Sequence, residues 1–262
     1  MTDDVAREHV STYLDMAIHE HNRDVGNLSV TNVDSACLTS SALRIHSFMK
    51  LRYRPLSPYT PPVDWLRMTG ATRLMFANAM FLAKDNPDSV GCRMTSFTNQ
   101  YREDRDNLRH LDEFQHLLRK QEPHGLAEPW DAEVCRAYQT ALSCVGDIWR
   151  FRYHNVLPAG VARQLVIFPV LLDDKFFDLV AERRPRALVI LAHYFAMLLV
   201  LRGLWYVGMT GVYEVHAIAE YLPREWRTML REPLLLVENV DSFPDVMRGT
   251  PGKWPTADVI WP

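Results

Sequence analysis

The chain has 262 residues, of which 48% are hydrophobic and 23% are charged, and its formal net charge is −3. This length builds one large domain or two small ones, and the slightly acidic balance argues against nucleic acid or anionic membrane as a direct partner. The four cysteines are far apart in sequence, with no pair at the spacing of a metal clip. We therefore expect a reduced, cytoplasmic protein without metal, cofactor or membrane span.

The first third of the chain has helical periodicity. Apolar residues from Val5 to Ile18 repeat on one helix face, and a turn is predicted at Gly26-Asn27. A second helix is predicted from Ala36 to Leu51, because the chain must leave helical geometry before Pro55. The proline-rich segment that begins there leads into a third helix.

Four further segments complete the middle of the chain. The third helix is predicted from Pro62 to Phe81. Asp85 to Asp106 is polar and contains a proline and a glycine, so we predict a surface loop. A short helix around Leu108–Leu118 and a longer one from Asp131 to Tyr153 follow.

The most apolar segment runs from Ala187 to Leu201 and contains a single imidazole, His193. A helix that is apolar on all faces is buried on all faces, and this one is too short to span a bilayer. No segment alternates at period two. The sequence therefore predicts an all-α fold: one compact multi-helix domain, residues 1–240, around a central buried helix.

The C-terminal segment differs in character. Prolines recur from Pro233 onward, which predicts that regular helix is absent there. Residues 241–262 nevertheless contain Trp254, Ile260 and Trp261, which are costly to expose. We expect this tail to pack on the domain, either as a lid over a pocket or as a surface segment without a role in ligand access.

Two sequence segments carry a resemblance to a known family. They are PPVDWLRMTGATRLMF (Pro61–Phe76) and the run from Phe168 to Leu230, which contains ERRPRALVILAHY and LPREW. Both resemble the C-terminal effector domain of fungal zinc-cluster transcription factors, in particular the sterol-uptake-control regulators. The resemblance implies a wholly helical domain with a deep apolar pocket, which in the sterol sensors binds ergosterol.

The sequence also departs from that family. It has no six-cysteine zinc cluster, and no basic stretch replaces it, so we expect no binding to nucleic acid by the chain itself. It begins inside the family pattern, after the position of the first effector-domain helices. What the resemblance leaves is a pocket for an apolar small molecule without a DNA-binding arm.

Three residues are candidates for chemistry in such a pocket. His193 is a polar group on an apolar helix, and Tyr194 and Tyr206 carry phenols that can polarise a ligand carbonyl. The alternative for His193 is a core histidine hydrogen-bonded to a backbone carbonyl, and for the tyrosines a core position with the hydroxyl at its boundary.

A second set of residues is predicted to line the pocket. The segment Trp205–Gly211 combines aromatics and glycines and is interpreted as the pocket rim, or alternatively as a helix C-cap at Gly208. Three helices are expected to border the cavity: Pro62–Phe81, Asp131–Tyr153 and Ala187–Leu201. Methionine and aromatic residues that recur along a helix face are nevertheless more often ordinary core residues than pocket lining. The predicted lining residues are Met75, Phe76, Met80, Trp149, Tyr153, Met197, Leu201, Trp205 and Met209.

Two functions remain open from the sequence. The first is a cofactor-free cyclase, of the Diels-Alder type, acting on a terpenoid or polyketide intermediate, because a shaped apolar cavity with one donor suits such a step. The second is a non-catalytic ligand-sensing regulator that works through a partner protein, in which case a nuclear location is expected instead. A homodimer is compatible with either.

Overall fold

The computed structural model of this chain describes residues 3–96, 98–119, 128–152 and 159–242. Within these ranges the chain forms twelve α-helices, joined by turns and short 3-10 helices, and no β-strand. The all-α prediction is thereby confirmed. The predicted packing of Trp254, Ile260 and Trp261 falls outside the described residues.

The helices are numbered in chain order. They are α1 (Asp3–Gly26), α2 (Val33–Lys50), α3 (Val63–Ala83), α4 (Val90–Ser96), α5 (Thr98–Asp106), α6 (Ala132–Trp149), α7 (Ala159–Leu171), α8 (Asp174–Ala181), α9 (Pro185–Met197), α10 (Thr210–Tyr221), α11 (Arg224–Arg227) and α12 (Arg231–Glu238). Short 3-10 helices occupy Leu51–Tyr53, Asp112–Leu118, Leu198–Leu201, Thr228–Leu230 and Val240–Ser242.

Helix α9 is the centre of the fold, as its composition predicts. It begins at Pro185, where the missing N–H has no helical acceptor to lose. Every residue from Arg186 to Met197 is buried, because α6, α8, α10 and α12 all pack against it. The one charged side chain among them, Arg186, pairs with Glu128 at 3.2 Å, so its buried charge is compensated.

Most predicted helix boundaries agree with the structure. Helix α6 begins where Asp131 suggested, and the Asp131 carboxylate caps it by accepting a 2.8 Å hydrogen bond from the Val134 N–H. Helix α2 ends before Pro55, and α3 begins directly after Pro62.

The prediction of a loop over Asp85–Asp106 was wrong, because α4 and α5 occupy most of it. Tertiary contacts hold this polar segment in place. The Asp34 carboxylate of α2 accepts hydrogen bonds from the Ser89 hydroxyl and, at 2.8 Å, from the Gly91 N–H. Met94 is then buried between neighbouring helices, a contact that local polarity does not reveal.

The absence of regular helix after Pro233 was also predicted wrongly. Helix α12 includes Pro233 as its third residue. A proline in the first turn is tolerated, since the N–H groups of that turn have no acceptor within the helix. Leu236 and Val237 then bury their side chains against the central helix.

Buried apolar side chains form two separate clusters. The larger, which we call the main core, surrounds α9 and includes Trp65 and Leu66 from the first part of α3. The smaller, which we call the second core, lies between α2, the later part of α3 and α4. Its buried members are Val33, Cys37, Met75, Phe76, Ala79, Ala83 and Met94.

The connector between α2 and α3 is fixed to the far side of the main core. Arg54 forms an ion pair with Glu214 of α10, with a 2.9 Å bond from its Nε to Oε1. The Tyr59 hydroxyl donates to the other carboxylate oxygen at 3.3 Å. Burial raises the pKa of Glu214, and the nearby guanidinium opposes that rise. The connector is therefore a structural strap between α2 and α10.

In the part of the chain that the structure describes, no single helix is both long and apolar enough to cross a membrane. Helix α8 together with the segment Pro185–Leu201 meets the length and composition only as a pair, and the two bend by 109° where they meet.

Candidate functional site

A small, partly open cavity lies at the edge of the main core. Side chains from α2, α3, α7, α9 and the 3-10 helix Leu198–Leu201 line it, together with Tyr206 and Val207. Its volume is about 30 Å³, which is room for one or two water molecules. The lining residues are Ser41, Arg44, Ile45, Phe48, Trp65, Thr69, Leu165, Val166, Tyr194, Leu198, Leu201, Tyr206 and Val207.

Two of the three helices that were predicted to border a ligand pocket also line this small cavity. The helices predicted over Pro62–Phe81 and Ala187–Leu201 contribute to its wall, and so does the segment Trp205–Gly211. The helix predicted over Asp131–Tyr153 does not line it; α2 and α7 take that place. Among the predicted site residues the structure brings together Tyr194, Leu201 and Tyr206.

His193 lies elsewhere, in an aromatic environment inside the main core. Its Nδ1–H donates to the Val189 carbonyl at 2.8 Å, and its ring packs against Phe114 and Trp149 with centroids at 5.2 and 4.7 Å. Burial lowers the pKa of His193 to about 4, so the imidazole is neutral at neutral pH. This geometry fits the alternative of a core histidine. Trp149 packs against the His193 ring and does not line the cavity.

Tyr194 contributes its ring to the cavity wall, but its hydroxyl is engaged. The ring stacks on Phe168 at 4.1 Å and on Trp65 at 6.0 Å. The hydroxyl donates to the Leu165 carbonyl at 3.0 Å. Burial raises the pKa of Tyr194, so the phenol stays protonated. The side chain therefore offers a ligand an aromatic face and no free donor.

Tyr206 is different, because its hydroxyl forms no hydrogen bond within the described residues. Its ring contacts Phe48 edge-on at 6.4 Å. Burial raises the pKa of Tyr206 to about 12, and the positive charge of Arg44 opposes part of that rise. Of the three predicted catalytic residues, Tyr206 alone presents an available donor to the cavity.

The remaining predicted lining residues are spread over the molecule. Met75 and Phe76 belong to the second core, Met80 is half-buried on the same helix, and Met197 is buried inside the main core. Trp205 is 56% exposed.

The predicted rim has the geometry of a turn. Gly208 has a φ of 51°, in the left-handed region that glycine adopts without strain. Its N–H donates to the Leu204 carbonyl at 3.0 Å, which closes a single turn between the 3-10 helix Leu198–Leu201 and α10 rather than the end of a helix. Met209 packs against the main core beside it, and Tyr153 lies outside the described residues.

A groove on the outer side of α2 leads to the same region. It lies between α1, α2 and α3 and has a volume of about 280 Å³. Arg44 borders both the groove and the small cavity. The groove is lined by Leu14, Ile18, His21, Asn22, Val25, Ser40, Leu43, Arg44, His46, Ser47, Lys50, Met68, Ala71, Thr72 and Met75.

Sequence reasoning missed Arg44, although a signal for it exists. Cys37, Ser41, Arg44 and Phe48 follow each other at intervals of three and four, which places them on one helix face. All four are buried, so the guanidinium projects from the buried face of α2. A charged residue at an apolar position of a helix stripe is informative, because such burial is costly without a partner.

One further cluster has the residue types of a metal site. Ligand atoms of Asp104, His110 and Asp147 lie within 4.8 Å of one another. Both carboxylates already pair with arginines: Arg109 contacts Asp104 at 2.7 Å and Arg150 contacts Asp147 at 2.6 Å. The guanidinium charges would oppose a cation, so the arrangement is better explained as a network of ion pairs.

Comparison with known proteins shows sequence similarity to a fungal transcription factor. Over 185 residues the chain is 28% identical to the Zn(2)-C6 fungal-type transcription factor afumD of Aspergillus fumigatus. The aligned part is 70% of this chain and 48% of that protein, so the chain spans about half the length of its relative. No family model and no solved structure matches the sequence. Most of this chain is therefore a region related to part of a fungal transcription factor.

Proposed function

We propose that this chain is a non-catalytic regulatory region that senses an apolar small molecule and passes the signal to a partner protein. The observation that carries the proposal is the similarity to a fungal transcription factor over 70% of the chain. A nuclear location goes with this function, since the regulated step is transcription.

The state of the candidate catalytic groups supports a sensor over an enzyme. His193 and Tyr194 each use a polar group in a structural hydrogen bond, to Val189 and to Leu165. A general acid or base must instead reach the reacting atoms. Aromatic and aliphatic side chains supply most of the cavity wall, which suits binding of an apolar molecule.

The position of the cavity suits signalling. Its apolar lining belongs to the main core, and part of its wall comes from α2 and α3, the two helices that also carry much of the second core. At about 30 Å³ it is much smaller than a drug-sized ligand, so a ligand that enters it separates those helices from α7 and α9. Binding would thereby favour an open arrangement over a closed one, which is the physical content of a sensor.

A transcription assay tests this function. The full chain is fused to a heterologous DNA-binding domain in a fungal host, and a reporter is measured while the supply of apolar metabolites is changed. Ile45→Phe fills the cavity from α2 and is expected to shift the reporter toward one constant level. The matched control is Leu74→Phe, because Leu74 is 70% exposed on α3 and lies outside the cavity.

Two outcomes would contradict the regulatory function. A reporter that responds to no change in metabolite supply would mean that the chain does not regulate transcription in response to these molecules. A response that is unchanged in Ile45→Phe would mean that the cavity is not the site at which the ligand acts.

The cyclase hypothesis retains one supporting observation: Tyr206 lines the cavity and, unlike Tyr194, its hydroxyl has no hydrogen bond to a described residue. As a protonated phenol with a pKa raised to about 12, it can donate a hydrogen bond to a carbonyl and stabilise developing negative charge. Mass spectrometry of fungal metabolite extracts incubated with the protein tests it. Turnover that disappears in Tyr206→Phe would favour an enzyme, and absence of any time-dependent product would exclude this role for the extracts used.

A further inference from the structure

Arg44 is a buried cation whose charge has no counterpart in the described residues. Its side chain projects between the two cores and is 7% exposed. The Ser41 hydroxyl accepts a 3.0 Å hydrogen bond from Nη2, and the guanidinium lies 4.8 Å from the centroid of the Phe76 ring. Its Nε–H is buried without an acceptor. A guanidinium has five N–H donors, so most of its hydrogen-bonding capacity is unused.

No carboxylate among the described residues compensates this charge. The titratable groups that act on Arg44 are the Cys37 thiol and the Tyr206 phenol. Burial raises the pKa of Cys37 to about 11 and that of Tyr206 to about 12, so both are uncharged at neutral pH. Burial accordingly lowers the pKa of Arg44 to about 10, which still leaves it protonated. The contrast is Arg186 in the main core, which has Glu128 beside it.

Other unpaired donors share this location. Thr69 of α3 lines the small cavity, is 1% exposed, and its hydroxyl has no hydrogen-bond partner. Tyr206 lines the same cavity, and its phenol is close enough to Arg44 to act on the pKa of the guanidinium. A cation and two hydroxyl-bearing side chains around one small space form a site that is complementary to an anionic oxygen group, because each can donate to it.

Space for the rest of a ligand lies on the outer side of Arg44. The groove between α1, α2 and α3 reaches the guanidinium and is bordered by apolar side chains, including Leu14, Leu43 and Met75. Its volume of about 280 Å³ approaches the lower limit of ordinary small-molecule sites. Two histidines of the groove, His21 and His46, each have a ring nitrogen without a partner.

We propose that Arg44 is the anion-binding residue of a site for a small apolar molecule that ends in a carboxylate. The carboxylate binds the guanidinium, with the Thr69 and Tyr206 hydroxyls as further donors, and the apolar body lies in the groove between α1, α2 and α3. A linear fatty acid and a cyclic terpenoid acid share this chemistry. The inference rests on the proposed sensing function for its biological meaning, and on the unpaired guanidinium for its chemistry.

Binding to purified full-length protein, stripped of bound lipid on a hydrophobic resin, tests the site. The probes are decanoate, decan-1-ol of the same chain length, and the ring-containing acid abietate, each titrated by calorimetry. Decanoate or abietate is expected to bind at least about tenfold more tightly than decanol, because a hydrogen-bonded charge pair contributes more than a neutral contact. The preferred acid then distinguishes a linear from a cyclic body.

Two variants, Arg44→Met and Arg44→Lys, test whether the preference for the acids over decanol depends on the guanidinium. Arg44→Met is expected to bind acid and alcohol equally, and Arg44→Lys to keep part of the preference, since it retains a charge without the bidentate geometry. The matched control is Arg67→Met, because Arg67 is an exposed residue of α3 that pairs with Asp178. It should bind the acids as the unchanged protein does.

The melting temperature without ligand provides a second, independent readout. Arg44→Met removes an uncompensated buried charge, so it is expected to raise the melting temperature by about 2–4 °C. The same concentration of acid should then stabilise the unchanged protein more than it stabilises Arg44→Met, because the variant binds the acid more weakly.

Three results would overturn the inference: equal affinity for decanoate, abietate and decanol, an acid preference that survives in Arg44→Met, or a lower melting temperature in ligand-free Arg44→Met. The last would show that a carboxylate of the chain itself already pairs with Arg44. A silent reporter with intact acid binding would instead count against the regulatory function alone, so the two failures are distinguishable.

Discussion

The surroundings of α9 and the contact between α2 and α3 use buried polar groups in different ways. Around α9, the buried His193 and Tyr194 each reach a backbone carbonyl, and Arg186 reaches a carboxylate. Between α2 and α3, Arg44 and Thr69 are buried with polar atoms that have no partner. A buried polar group that is hydrogen-bonded adds rigidity and offers nothing to a ligand. A region that keeps such groups unpaired is less stable and ready to bind.

The size of the two cores points in the same direction. The main core gathers side chains from most helices, whereas seven buried residues make up the second core. Since burial of apolar area supplies most of the stabilisation, the part built around α2, α3 and α4 is expected to open at lower free energy. Ligand-responsive segments are generally drawn from such regions.

The largest expected effect tests this difference in packing. Phe168 is fully buried and stacks on Tyr194, so Phe168→Ala should lower the free energy of unfolding by about 3–5 kcal/mol. Phe76→Ala in the second core should lower it by less than about 3 kcal/mol, because only a small cluster of buried side chains packs around it. Urea denaturation measures both, with Phe81→Ala as the exposed control. Equal losses at Phe168 and Phe76 would show that the two cores are packed alike.

The second expected effect is a pH dependence that originates in the main core. The pKa of His193 is lowered from 6.5 to about 4 by burial, so between these values the unfolded chain binds a proton that the folded protein does not. The contribution of His193 to stability is therefore complete above pH 6.5 and is lost as the pH falls toward 4. Full loss amounts to about 3 kcal/mol, at about 1.4 kcal/mol per pH unit.

The measurement is urea denaturation at several pH values between 7 and 4. The decline of stability with falling pH should be shallower in His193→Gln than in the unchanged protein. His216→Gln is the matched control, because His216 is exposed on α10 and lies outside the cavity and the groove. Parallel curves for the unchanged protein and His193→Gln would mean that His193 is accessible to protons in the folded state.

The smallest expected effect separates the two tyrosines of the cavity. Tyr194→Phe removes a hydrogen bond to the Leu165 carbonyl and should lower the free energy of unfolding by about 0.5–1.5 kcal/mol. Tyr206→Phe removes no hydrogen bond among the described residues and should change it by less than about 0.5 kcal/mol. Thermal denaturation of both variants measures the difference. A larger loss of stability in Tyr206→Phe than in Tyr194→Phe would mean that the Tyr206 hydroxyl, not that of Tyr194, makes the stabilising hydrogen bond.

The helical architecture could be predicted because its signals are local or repeat at a fixed period. The apolar run around His193, the proline at the start of α9 and the capping Asp131 each act within a few residues. Helices α4 and α12 could not be predicted in the same way. Helix α4 is held by the Asp34 carboxylate, which belongs to a helix far away in sequence. For α12, Pro233 was taken as a helix breaker, whereas it lies in the first turn of the helix, where proline is tolerated.

The candidate site was predicted only in part, for a related reason. Tyr194 and Tyr206 follow closely in sequence, so their joint contribution to one cavity could be expected. The share of α2 and α7 in its wall depends on how helices cross, which periodicity does not specify. Arg44 was detectable as a charge on an apolar face, but whether Asp or Glu faces it is a tertiary fact.

Helix α3 belongs to both cores, and this has a mechanical consequence. Trp65 and Leu66 anchor its first part in the main core, and Phe76, Ala79 and Ala83 anchor its last part in the second. Its 21 residues span about 31 Å, so a tilt of about 5° about the middle displaces each end by about 1.3 Å. Thr69 and Gly70, near that middle, lie at the cavity and against Phe177 of α8. A ligand at the cavity therefore contacts α3 near the point about which it would tilt. A small tilt there moves the last part of the helix, which carries residues of the second core.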